Sequence, residues 1–157
     1  MPRENFESDK ETETILMQQA YLELMALIEQ VPNLRIMTSQ RTNIAWLIER
    51  MRRENPSDWQ TKIHEMAETI QALNESGGKF EVSHFLNQEI NDRYVTFLTN
   101  RLQEDIDDKT KQNLEIMIQM TQDDSRFAEQ AKTKKEAVSF GGVSLDYTPE
   151  WYYSLPK

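Results

Sequence analysis

The chain has 157 residues, enough for one modest domain, and carries a formal charge of −9 from 18 basic and 27 acidic side chains. An acidic chain has no general attraction for DNA, RNA or anionic membranes, so neither a specific nucleic acid nor a membrane is an expected partner. The sequence contains no cysteine, which excludes disulfides, thiolate catalysis and cysteine-type zinc sites.

The first residues, Met1 to Lys10, are polar and acidic and lack the apolar stretch of a signal peptide. No apolar run approaches the ~20 residues of a membrane span. The expected location is the cytoplasm, or a particle assembled there. Residues 1–8 read as a flexible lead-in. Ser8 and Asp9 can cap a first helix reaching about Gln30, with Met17, Tyr21, Leu24, Ile28 and Val31 at three- and four-residue steps. Leu16, Leu22, Met25 and Leu27 widen that stripe, which makes this the helix expected to be most buried. Pro32 ends it.

A second helix is expected from a cap at Ser39, with Ile44, Leu47, Ile48 and Met51 inward and Trp46 off the main line. Arg50, Arg52 and Arg53 occupy its last turn, where the helix dipole favours cations. Asn55 can cap a third helix with Pro56 as its first residue. Trp59, Ile63, Met66, Ala67, Ile70 and Leu73 then share one face, and Gly77-Gly78 closes the element. A fourth helix starts near Ser83, with Leu86, Ile90, Tyr94, Phe97, Leu98 and Leu102 as its stripe. Asp107-Asp108 can cap a fifth, whose apolar positions are Leu114, Met117, Ile118 and Phe127. The helical bundle therefore spans 9–135.

Residues 136–157 differ in kind. Val138-Ser139-Phe140, Gly141-Gly142 and Val143-Ser144-Leu145 read as a small β-hairpin with a two-residue turn. Pairing Phe140 with Val143 and Val138 with Leu145 makes one face wholly apolar. Beyond it stand Tyr147, Trp151, Tyr152 and Tyr153, four aromatic residues within a 7-residue span. Such a tail either covers an apolar groove of its own bundle or docks on another subunit. The second reading makes Phe140, Val143, Leu145, Tyr147, Trp151, Tyr152 and Tyr153 the protein-interface residues.

Other constellations have simpler readings. His64 and Glu68 stand four apart, a spacing that can bind metal, but only two histidines exist and HExxH is absent, so they read as surface groups. Asp105, Asp107 and Asp108 suggest a calcium loop, yet the positions that need Gly and Glu hold Thr110 and Ile116. No phosphate-cradling glycine motif or GxSxG is present. No catalytic residue, metal or cofactor is therefore expected. Arg41, Arg50, Arg52 and Arg53 do not form one stripe and read as a solvated helix end or as contacts to an acidic partner.

The expected fold is all-α, a four- to five-helix bundle with a short C-terminal β-hairpin and an extended aromatic tail. This layout resembles that of bacteriophage head–tail connector subunits, which implies a virion assembly component. The expected function is a non-enzymatic adaptor or structural subunit, with a protein partner or a homo-oligomer on its tail. The alternative is a small acidic regulator or inhibitor presenting carboxylates to a basic site.

Overall fold

Each helix boundary is set by a local backbone or side-chain feature. The computed structural model describes residues 2–140 and 148–155, the first eight of them as backbone alone. The first helix, α1 (Pro2–Glu29), begins at the proline, so Ser8 and Asp9 lie inside it and do not cap it. It ends before Pro32, and Asn33 turns the chain at φ 65°. Asparagine tolerates this left-handed region better than most residues.

The next helix, α2 (Thr38–Glu54), starts one residue before the expected Ser39 cap. Gln40 is the cause: its Oε1 accepts from the Met37 N–H at 2.7 Å, so the N-terminal turn is closed by an amide from within the helix. Asn55 closes α2, its N–H donating to the Met51 carbonyl at 2.9 Å, and does not open the next helix. Pro56 to Asp58 form a turn before α3 (Trp59–Gly77). Gly78, at φ 66° and ψ −143°, donates its N–H to Leu73 and Asn74 and lets α4 (Lys79–Arg101) start at once. That backbone region is essentially restricted to glycine. Ser83, the expected cap, is buried inside α4 and donates to the Phe80 carbonyl at 3.1 Å. The fifth helix, α5 (Asp108–Thr133), does open as expected, with Asp107 Oδ1 accepting from the Thr110 N–H at 2.7 Å.

The architecture is all-α, with five substantial packed helices. α1 packs on α2 and α3, α4 covers α2 and α3, and α5 lies along α4. The deepest element is α2, not α1: Asn43 to Ile48 are all buried, Trp46 included. Trp46 meets Tyr94 and Phe97 of α4 edge-on, with ring centres 5.6 and 5.9 Å apart. The α3 stripe is buried from Trp59 to Ile70, and Leu73 packs at its edge.

Two further expectations fail. Phe127 is 63 % exposed, because Leu114, Thr121 and Ala128 set the inward line of α5 and Phe127 stands about 100° from Ala128. No strand occurs among the described residues. Val138 and Ser139 are irregular, and Phe140 is drawn fully into the core. Isolated two-stranded hairpins are marginal in water, whereas a buried phenylalanine is worth ~1.5–3 kcal/mol. The proposed Gly141-Gly142 turn, Val143, Leu145 and Tyr147 lie outside the described residues. After them comes one short turn of helix, α6 (Glu150–Tyr153), seated on α1. Among the described residues, no helix is long and apolar enough to cross a membrane.

Candidate functional site

The C-terminal segment is held by a small set of specific contacts. Pro149, extended at ψ 144°, leads into α6 and aims Trp151 at the junction of α1 and α2. Trp151 is 7 % exposed. Its indole Nε1 donates to Glu49 Oε2 at 3.1 Å, and its carbonyl accepts from Gln18 Nε2 at 3.0 Å. Its ring meets Tyr21 edge-on, with centres 6.1 Å apart. Tyr152 meets the Tyr21 ring at 5.6 Å, and Tyr153 packs edge-on against Tyr152 at 5.5 Å. Edge-to-face pairs of this kind add ~0.5–1.5 kcal/mol beyond area burial.

Glu49 organises the seat. Besides Trp151 it accepts from Arg53 Nε at 3.0 Å and Arg52 Nη2 at 3.4 Å, and Arg52 reaches on to Glu13 of α1 at 3.2 Å. Burial alone raises the Glu49 carboxyl. The hydrogen bonds from Arg53 and Trp151, with the charge of Arg52, outweigh it and hold Glu49 below the ordinary glutamate value. On the other side of the seat, burial, with Tyr152 adding, pushes the Tyr21 hydroxyl up to about 12 despite an opposing hydrogen bond from Arg41. A cleft of about 1590 Å³ opens beside the segment, walled by Thr148 and Glu150 on one side and by Glu13 and Arg52 on the other.

The arginines, read from the sequence as a solvated helix end or as contacts to an acidic partner, pair with carboxylates of this chain. Arg41 pairs with Glu29 at 2.9 Å and Arg50 with Glu54 at 2.8 Å, while Arg52 and Arg53 share Glu49. His64 pairs with Glu68 at 3.0 Å on the exposed side of α3. No group of three or more metal-type ligands occurs among the described residues.

Of the seven expected interface residues, the described ones divide sharply. Phe140 and Trp151 are covered by this chain's own bundle, Tyr152 is half-buried, and Tyr153 is 75 % exposed. Gln18 and Glu49, which fix the segment, carry no local signal in the sequence, since a polar residue's distant partner leaves no periodicity. Ile116 and Met120 were also missed. They stand 58 % and 56 % exposed in line with Phe127, and their 4- and 7-residue spacing was the available clue.

The chain matches no protein-family model, no curated protein and no solved structure.

Proposed function

We propose that the protein is a non-enzymatic interaction subunit that docks on another protein chain through its aromatic C-terminal segment. The observation that carries this reading is Tyr153. Its neighbours are fixed by Trp151 and Tyr21, yet its own ring stands 75 % in solvent. An aromatic already held by its neighbours loses little freedom on binding, and tyrosine is enriched among interface hot spots. His84 is tied to the Glu136 carbonyl at 3.1 Å, and His64 forms an exposed surface pair with Glu68.

A second reading, an acidic regulator that presents carboxylates to a basic site, has the −9 charge in its favour. Ionic strength separates the two, because carboxylate docking weakens steeply with salt and aromatic docking does not. The decisive experiment places a photo-crosslinking amino acid at Tyr153 or, as control, at exposed Gln71. Position 153 should give one reproducible adduct to a second polypeptide, unaffected by salt and lost in Trp151→Ala, which unseats the segment. Adducts confined to the chain itself would sink the docking reading, and an adduct that fades with salt would favour the regulator.

A further inference from the structure

The seam between α4 and α5 holds a cavity of about 350 Å³, the size of a small organic ligand. Helix spacing builds its two long walls. Glu81, His84 and Asp92 stand on one side of α4, and Ser125, Glu129 and Lys132 follow at steps of four and three on α5. Gly77 leaves room at one end, since a side chain there would strike the stem of Glu81.

The polar groups of this lining are acceptors that lack donors. His84 is 9 % exposed, and its Nε2 meets the Glu136 carbonyl at 3.1 Å. A carbonyl only accepts, so Nε2 carries the proton, and Nδ1 of the neutral ring keeps its lone pair. Among the described residues Nδ1 has no partner, and the ring forms part of the cavity wall. Ser125 Oγ accepts from Asn91 Nδ2 at 3.1 Å and retains a second lone pair. Around these acceptors stand three carboxylates, Glu81, Asp92 and Glu129, against one ammonium, Lys132. No cation of the described residues pairs with any of the three.

We propose that this cavity binds a small primary amine, with its ammonium group between His84 Nδ1 and the carboxylates and its carbon chain against Leu73 and Phe85. An ammonium brings three donors and no acceptor, which is what the lining lacks. The three carboxylates oppose an anion. A metal ion fits less well, because no three His, Asp or Glu side chains among the described residues lie close enough together to hold one. Leu73 and Phe85 give the carbon chain an apolar wall, so the ligand is an organic cation and not a hydrated inorganic one. The lining comes from α3, α4 and α5, apart from the C-terminal segment on α1 and α2, and the proposal does not depend on how Tyr153 is used.

The chain has two histidines, which makes the site readable by proton NMR. Each gives one ring C2–H signal, and His64→Gln assigns them. Pentylammonium chloride, added at fixed pH to the full-length protein in low salt, should move the His84 signal along a saturating curve and leave that of exposed His64 in place. Pentanol and sodium chloride at the same concentrations should move neither. Glu129→Gln, at an exposed position, should keep the melting temperature and weaken binding roughly tenfold, the loss of one charge-assisted contact. No saturable movement of the His84 signal, or an equal response to pentanol or sodium chloride, would overturn the proposal. So would binding indifferent to both Glu129→Gln and Asp92→Asn.

Discussion

Lys135 occupies a position that suits glycine. After α5 the chain closes with the Glu136 N–H on the Ala131 carbonyl at 3.0 Å and the Lys135 N–H on Lys132 at 3.1 Å. This is the Schellman pattern, and it places Lys135 at φ 53°. A side chain there costs ~1–2 kcal/mol, while glycine brings back ~0.5–1 kcal/mol through its freer unfolded state. Lys135→Gly should therefore stabilise the protein by about 0.5–1 kcal/mol, read as a higher urea midpoint with an unchanged slope. A lower midpoint would mean that the lysine side chain contributes something the backbone argument omits. The same physics was legible elsewhere in the sequence. Gly77-Gly78 announced a helix break, and Gly78 carries the positive φ that makes it one. At Lys135 the residue type gave no warning, because the geometry there is imposed by the descent of the chain toward buried Phe140.

Among the helices, legibility tracked how one-sided each stripe was. α3 has a single apolar face, and that face is buried. α5 has two, one through Leu114, Met117 and Ile118 and one through Ile116, Met120 and Phe127. The choice between them was made by α4, whose Asn87 and Asn91 lie buried on its inner side. A polar seam accepts Thr121, Asp124 and Ser125 more readily than a phenylalanine, and nothing within α5 reports that. Helix starts were misread for a related reason: Ser39, Asn55 and Ser83 are good capping types, but Gln40, Asp58 and Gly78 supplied the actual boundaries. The contrast between helices can be measured. Ile70→Ala removes a side chain 1 % exposed and should cost about 2–5 kcal/mol. Phe127→Ala, despite the larger deletion, should fall within ~0.5 kcal/mol in dilute monomer, as surface changes do. Equal losses at the two sites would mean that the outer face of α5 is covered even in the single chain.

Across the whole molecule the C-terminal segment closes the fold onto its beginning. Trp151 reaches Glu49 across 102 positions and Gln18 across 133. Tail aromatics were visible in the sequence, but no local pattern could say that a carboxylate so far away would receive the indole. This closure makes stability depend on acid in a specific way. Glu49 titrates below the ordinary value of 4.5, since its partners Arg53, Trp151 and Arg52 outweigh its burial. A carboxylate whose folded value is depressed contributes stability that is present above its unfolded pKa and lost as pH falls through the folded one. Glu49→Gln keeps an oxygen for the indole N–H but removes the charge. At pH 7 the variant should be less stable than the unaltered protein, and the gap should close as pH drops below about 4.5. Below that pH the Trp151 emission, isolated as the difference from Trp151→Phe, should also shift to longer wavelength in the unaltered protein as the segment leaves its seat. A stability gap that stays constant from pH 7 to pH 3 would show that Glu49 acts through packing alone, and that the arginine–indole cluster does not govern when the tail is released.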